Sequence, residues 1–275
     1  MTSSTTPSGA HSPAADPDAD PAVGPAVGPG AERPVLPGNG PVLILAAMDE
    51  EASPLVERML SPRRVDLPLS APAHAWAGTL GGLHAVVATS GIGISAATAA
   101  ATWGILTQRP RLVISAGSAG GLASGIGVGT LVIGESFTYS IADATAFGYA
   151  PGQVPGGPER FRTDPRLVDL AARAAEEAAS AHGVRRGLML SGDAFVTAEI
   201  AAPMRERFPG ALSADMESTA IAQTCSSLGV PFLAMRAISD LCGPEADEQF
   251  HLELDVVAET SARAVCRLLE DVAAG

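Results

Sequence analysis

Cysteine is scarce in this sequence, with three residues in 275, at positions 225, 242 and 266. An odd number at uneven spacing excludes a disulfide framework and predicts reduced core thiols. No metal-binding spacing links Cys225, Cys242 and Cys266 to His74, His84, His182 or His251. Positive charge is also short. The 17 basic residues face 30 acidic ones, giving a net charge of −13 and a pI near 4.7. That balance lacks the basic footprint that nucleic acid or an anionic membrane surface requires. No apolar run reaches the roughly 18 residues of a membrane span. The N-terminus has neither a basic n-region nor an apolar h-region, which predicts no secretory signal. Together these absences point to a cytoplasmic chain.

What is present is apolar and glycine-rich. With 47% hydrophobic and 17% charged residues, the chain suffices for one large α/β domain or two small ones. Residues 1–40 are dominated by Ser, Thr, Pro, Ala, Gly and Asp, with Pro-Ala-Val-Gly repeated at 21–24 and 25–28. Such a segment cannot bury enough apolar surface to offset its ordering entropy. A disordered tail is expected over 1–40 and a folded domain over 41–275.

Val42 to Ala47 reads as a buried strand, followed directly by Met48-Asp49-Glu50-Glu51. Leu55, Val56, Met59 and Leu60 then have helical spacing, with Pro54 tolerable in a first turn. An acidic first turn favoured by the helix dipole accounts for Asp49 and Glu50. His74–Leu80 and Leu83–Ser90 form two strands joined by Gly81-Gly82, a hairpin signal. Ser90-Gly91-Ile92-Gly93 opens a helix over Ala96–Leu106, and its glycines let backbone approach a ligand. It fails as a dinucleotide fingerprint, lacking the third glycine and the later acid.

Arg111–Ala116 is another strand. The turn expected after it, Gly117-Ser118-Ala119-Gly120-Gly121, could form an anion nest or hold an aromatic ring edge. No lysine follows, so it is not a P-loop. Strands are expected at Thr130–Gly134, Arg186–Leu190 and Pro231–Ile238, the last ending at Ser239-Asp240. Ala142–Pro158 is a long loop, a length that usually marks function or an interface. Asp164-Pro165 starts one helix, and Leu252–Val272 is another. Apolar strands alternating with helices indicate a largely parallel sheet covered on both faces.

Ser213-Ala214-Asp215-Met216-Glu217-Ser218-Thr219-Ala220 is the stretch around which the rest is arranged. A strand-like run enters it and a helical pattern leaves it. Ligands bind at such strand ends, and a carboxylate there can take both hydroxyls of a ribose. An N-capping acid explains one of the two carboxylates equally well. It does not explain a second acidic strand end at Ser239-Asp240.

Seven motifs in order now carry a resemblance. They are Ala47-Met48-Asp49-Glu50-Glu51, Ser90-Gly91-Ile92-Gly93, Gly117-Ser118-Ala119-Gly120-Gly121-Leu122, Asp143-Ala144-Thr145-Ala146-Phe147-Gly148-Tyr149, Ser191-Gly192-Asp193-Ala194-Phe195, Asp215-Met216-Glu217 and Arg236-Ala237-Ile238-Ser239-Asp240. From Val42 onward the chain resembles the 5′-methylthioadenosine/S-adenosylhomocysteine nucleosidases of the nucleoside phosphorylase superfamily. The resemblance implies a three-layer α/β/α fold with a central, largely parallel mixed sheet, and a homodimer. It implies hydrolysis of the N-glycosidic bond of an adenine nucleoside without metal or organic cofactor. Asp240 matches the acid that protonates purine N7, and Glu51 the base that activates water. Met216 and Glu217 match ribose contacts, Phe195 the ring stacked on adenine, and Val196 the backbone reading its edge. Ser118 and Arg236 match supporting residues, with Ala119, Gly120 and Ser239 beside them. Met48, Ile92 and Phe250 match the apolar pocket for the 5′ group, to which the partner subunit lends residues matching Phe147 and Pro155.

Elementary chemistry supports this constellation. Adenine leaves poorly as an anion, so N7 needs a proton as the bond breaks. The ribose becomes oxocarbenium-like, and the attacking water needs a base. Phosphorolytic relatives carry an arginine three residues before the serine matching Ser118. Here that residue is Ser115, which favours water over phosphate. Asp240, where relatives specific for 6-oxopurines carry asparagine, favours a 6-aminopurine. Asp215 stands where the family often has Glu, Ser140-Ile141 where it often has His-Asp, and Ala144 where it has valine. The Leu241-Cys242-Gly243-Pro244 stretch is also unusual. The alternatives are action on 6-amino-6-deoxyfutalosine, an adenosine-type phosphorylase, and a non-catalytic nucleoside-binding module.

Overall fold

The computed structural model describes residues 36, 38–70, 72–178 and 182–274. Most of the tail expected over 1–40 lies outside them. Leu36 lies within them, and its side chain is buried against the core.

The chain runs β1 (Val42–Ala46), α1 (Asp49–Glu57), β2 (Leu60–Val65), β3 (His74–Leu80), β4 (Leu83–Thr89), α2 (Ile94–Gln108) and β5 (Leu112–Gly121). It continues with β6 (Leu131–Tyr139), β7 (Phe161–Arg162), α3 (Pro165–Ala178), β8 (Val184–Ser191), α4 (Ala198–Arg207) and β9 (Ala211–Asp215). It closes with α5 (Ser218–Leu228), β10 (Phe232–Asp240) and α6 (Ala246–Ala274). The expected mixed α/β architecture is present. β1 lies between parallel neighbours β4 and β5. β10 is parallel to β5 and antiparallel to β6, β6 and β8 are parallel, and so are β8 and β9. β9 returns antiparallel to β5. Five strands therefore close on themselves as a ring, β5-β10-β6-β8-β9, and β1-β4-β3-β2 extends from it as an arm.

The continuous apolar runs follow from burial on both faces. Val42, Ile44 and Ala46 of β1 join the core under α1, α3 and α6, while Leu43 and Leu45 join the core under α2 and α5. Leu233, Met235 and Ala237 of β10 alternate the same way with Phe232, Ala234 and Ile238. This is the period-2 rule of a pleated strand with no polar face. Gly104 sits within α2 because a Cβ there would lie 2.3 Å from Leu43 Cδ2, well inside contact distance.

Three expectations need correction. Leu60 is not helical, because α1 ends at Glu57 and Leu60 begins β2, pairing with Thr79. Pro54 falls in the second turn of α1 and not the first; it has no N–H to give Glu50, a residue on the exposed part of this short helix. The stretch Gly117–Gly121 is no turn. It continues β5, with Gly117 opposite Arg236 and Gly120 opposite Ala214. The glycines are needed for proximity to side chains, as described below. Elements β2, β7 and α4 were not anticipated.

Candidate active site

The carboxyl ends of β1, β5, β9 and β10 surround a cavity of about 240 Å³. Into it come Glu51, Asp215, Glu217, Asp240 and Arg236, with Met48, Ile92, Phe195, Met216 and Phe250 as apolar wall. Ser118, Ala119, Gly120 and Ser239 complete the lining expected from sequence, and Ala47 and Ala214 add to it.

Glu51 is the third residue of α1 and is fully buried. Its Oε2 accepts the Ala47 amide at 2.9 Å and the Met48 amide at 3.3 Å, capping the helix from within. Its Oε1 accepts the Ser118 amide at 2.7 Å and the Ser118 hydroxyl at 2.8 Å. Gly117 makes this possible. Its φ of +136° is unsuited to side chains, and a Cβ there would lie 2.3 Å from Glu51 Oε1. The anion that the glycine-rich stretch receives is thus the protein's own carboxylate. Ser261 of α6 holds the same stretch from behind, its hydroxyl accepting from the Gly117 amide and donating to the Met235 carbonyl.

Asp215 and Glu217 divide the two readings of their motif. Asp215 is the structural one. Its Oδ1 accepts the amides of Glu217 and Ser218 at the start of α5, and the Ser191 hydroxyl at 2.6 Å. Its Oδ2 is buried without a hydrogen bond among the described residues and lies 3.7 Å from Arg236 Nε. Glu217 reaches elsewhere. Its Oε1 accepts the Gly93 amide at 2.9 Å, and its Oε2 accepts from Arg236 at 3.1 Å. Burial pushes its pKa up to about 7, with Arg236 pulling it back and Asp215 and Glu51 pushing it further. The Gly93 amide therefore serves a carboxylate of this chain, a correction to the expectation that it approaches a ligand directly. A neighbouring amide does the same, since Ile94 donates to Asp193 at 2.7 Å.

Arg236 is fully enclosed. It donates to the Ser118 carbonyl, the Ser115 hydroxyl and Glu217, and lies 3.7 Å from Glu51. Burial works against its charge, but Asp215, Glu217 and Glu51 outweigh burial and hold it protonated. Ser115 was singled out in the sequence as a missing arginine. In the structure its hydroxyl is an acceptor for Arg236 and a neighbour of Ser218 Oγ at 3.1 Å.

Asp240 ends β10. Its Oδ1 accepts the Cys242 amide at 2.9 Å, and its Oδ2 the Ser239 hydroxyl at 3.0 Å. Burial raises its pKa from the ordinary aspartate value, against the pull of those donors. A carboxyl so placed holds a proton to higher pH than a surface aspartate. Phe195 and Phe250 meet edge to face, with centroids 5.7 Å apart. Val196 lies beside a smaller recess shared with Phe195, Met216, Asp240 and Cys242. Phe147 and Pro155 are exposed and do not line this cavity. Among the described residues no group of His, Cys, Asp or Glu converges as metal ligands would, and no helix is long and apolar enough to cross a membrane.

With Glu51 and Asp240 buried in different hydrogen-bonding environments on one cavity, the geometry suits proton transfer at both ends of a polar bond. The profile of the phosphorylase superfamily matches residues 41–274. The chain belongs to that superfamily. Its fold is similar to that of a 5′-methylthioadenosine/S-adenosylhomocysteine nucleosidase from Neisseria meningitidis in complex with methylthio-immucillin-A. Identity is 39% and the TM-score 0.80, over 84% of this chain and 99% of that one. A 5′-methylthioadenosine/S-adenosylhomocysteine nucleosidase from Colwellia psychrerythraea 34H in complex with adenine is 32% identical, with a TM-score of 0.79, over 86% and 96% of the two chains. One from Streptococcus pneumoniae, bound to a transition-state inhibitor, is 30% identical, with a TM-score of 0.77, over 83% and 98%. Within the superfamily this chain belongs with the 5′-methylthioadenosine/S-adenosylhomocysteine nucleosidases.

Proposed function

We propose that this chain hydrolyses the N-glycosidic bond of 5′-methylthioadenosine and S-adenosylhomocysteine, releasing adenine and the 5′-thio-substituted ribose. The observation that carries this is the placement of Glu51 and Asp240, both buried, on the wall of one cavity with Glu217 and Phe195. Asp240 delivers the proton to adenine N7. Its Oδ1 is held by a fixed backbone amide, whereas Oδ2 meets the Ser239 hydroxyl, which can rotate, so Oδ2 carries the proton. Glu217, tied to Arg236, accepts the ribose hydroxyls, and its charge with that of Glu51 favours the cationic sugar of the transition state. Glu51 takes a proton from the attacking water. The Ser118 hydroxyl is the one donor on Glu51 that can rotate, and the Met48 bond is its longest. Either can yield a lone pair to water. Phe195 covers the adenine, and Val196 reads its edge through backbone. Met48, Ile92 and Phe250 receive the 5′ group. Such an activity serves nucleoside catabolism and methionine salvage in the cytoplasm.

Water is the nucleophile because a phosphate has no free cation to meet. Among the described residues lining the cavity Arg236 is the sole cation, and three carboxylates surround it. Adenine release is therefore expected in phosphate-free buffer at a rate that added phosphate leaves unchanged. Methylthioadenosine, S-adenosylhomocysteine and aminodeoxyfutalosine should be compared side by side. A strict phosphate requirement would make the chain a phosphorylase, and no release in either buffer would leave a nucleoside-binding module.

The active form is a homodimer. Phe147 is 83% exposed and is the last residue of a short helical turn in the long loop, an arrangement that suits insertion into a partner. Phe147 and Pro155 complete the partner's 5′ pocket. Phe147→Ala should raise KM about tenfold, the scale of one lost aromatic burial, with kcat nearly kept. Sedimentation of a monomer with wild-type KM in this variant would rule the arrangement out.

A further inference from the structure

Asp240 owes its orientation to a turn that the sequence marks as unusual, and that turn is held from outside the cavity. The carbonyl of Leu241 and the N–H of Cys242 belong to one peptide group, so in the trans form they point in opposite directions. The N–H end donates to Asp240 Oδ1 at 2.9 Å. The carbonyl end accepts from Arg205 Nη2 at 3.2 Å. Arg205 stands on α4, and the same guanidinium donates through Nε to the Leu122 carbonyl at 2.7 Å and through Nη2 to the Gly121 carbonyl at 3.4 Å. It thereby ties the turn after β10 to the end of β5. The Leu241 amide is taken as well, donating to Gln249 Oε1 at 3.2 Å. Cys242 has φ of +50°, a left-handed conformation that side-chain-bearing residues adopt only where the surroundings enforce it. Its thiol fits because Gly120 has no Cβ, which would lie 2.5 Å from Cys242 Sγ.

We propose that Arg205 is a positioning residue for Asp240, acting through the Leu241–Cys242 peptide. By fixing the carbonyl it aims the amide at Oδ1, so that the proton is carried on Oδ2, whose own partner is the rotatable Ser239 hydroxyl. A cation at the carbonyl end also polarises the N–H and strengthens its bond to the carboxylate. The inference rests on the proposed role of Asp240 as the acid. The other ionisable groups facing Asp240 across the cavity are Glu51 of α1, Asp215 and Glu217 at the β9–α5 junction, and Arg236 of β10. The Cys242 thiol lies behind it, and His251 of α6 packs against Phe250.

The test is kcat and KM against pH for wild type, Arg205→Met and Arg205→Lys, with methylthioadenosine in phosphate-free buffer. Removing the clamp weakens a hydrogen bond to the ionised carboxylate, so Asp240 titrates higher. In Arg205→Met the alkaline limb of kcat should move up by about half a pH unit, with kcat down about tenfold and KM within about threefold. Arg205→Lys replaces the planar fork by a point donor and should shift the same way by less. A limb that does not move in Arg205→Met overturns the proposal, however far kcat falls. Should thermal melting show that the methionine variant does not fold, an unmoved limb in the lysine variant overturns it. A wild type that releases no adenine overturns the proposed activity and this role together, whereas an active wild type with unmoved variants overturns this role alone.

Discussion

Asp240→Asn is expected to lower kcat by roughly 10²–10⁴-fold, the range for loss of a general acid, with the fold intact. Asparagine is nearly isosteric, and its oxygen can still accept the Cys242 amide that Oδ1 accepts now. Its amide nitrogen can still donate to adenine N7, so KM should change little. What is lost is a proton that can be given away. The pH dependence separates this from misfolding. Burial raises the pKa of Asp240, so the protonated form persists to higher pH than in an exposed aspartate. Wild-type kcat should fall as pH rises through that raised value, because the acid has then lost its proton. In Asp240→Asn that limb should vanish, since no group there titrates. Single-turnover adenine release across pH, with thermal melting alongside, checks both statements. Turnover near wild type would remove Asp240 from this role.

Much of the scaffold was legible because burial leaves a plain signature. The largely apolar runs Val42–Ala47 and Pro231–Ile238 read as buried strands, and the strands lie at Val42–Ala46 and Phe232–Asp240. His74–Leu80 emerged from its hairpin glycines within its observed limits. The site was legible where a carboxylate sits at a strand end, as at Glu51, Glu217 and Asp240. Partnership was not legible. Nothing in Gly117–Gly121 announces an extended strand, because glycine reads as turn unless one knows that Glu51 must fit against Gly117. The same holds for Gly93, whose amide meets a carboxylate 124 residues away. Asp215 could be read as a cap or a ligand, and only the amides of Glu217 and Ser218 settle it as a cap. Arg205 gave no sequence signal, since it acts on carbonyls, which every residue carries. β2 was missed because Leu60–Val65 is mostly exposed and carries Pro62 and two arginines, a composition unlike a core strand and typical of a sheet edge.

Glu51→Gln should lose roughly 10²–10⁴-fold in kcat as well, and unlike Asp240→Asn it should also lose stability. The reason is a count of donors. Glu51 accepts from the Ala47 and Met48 amides on one oxygen and from the Ser118 amide and hydroxyl on the other. A glutamine offers one oxygen and one NH₂, so whichever way it turns, its nitrogen faces backbone N–H groups that have no acceptor left. If the oxygen stays with Ser118, the Ala47 and Met48 amides lose their acceptor and the start of α1 is uncapped. If it turns toward them, the Ser118 amide is stranded beside Gly117, where no side chain could take its place. A buried donor without a partner costs about 1–3 kcal/mol, so the unfolding free energy should fall by about that amount, seen as a lower denaturation midpoint with the denaturant slope unchanged. The loss of rate should exceed what this destabilisation accounts for, because the folded variant has no carboxylate to receive the proton of water. Assaying well below the melting temperature isolates that part. A variant destabilised as expected but catalytically near wild type would show Glu51 to be a helix cap and nothing more, and water would then need its base elsewhere in the cavity. Glu217 would be the next to test, since its carboxylate is the one that burial has already brought to about 7.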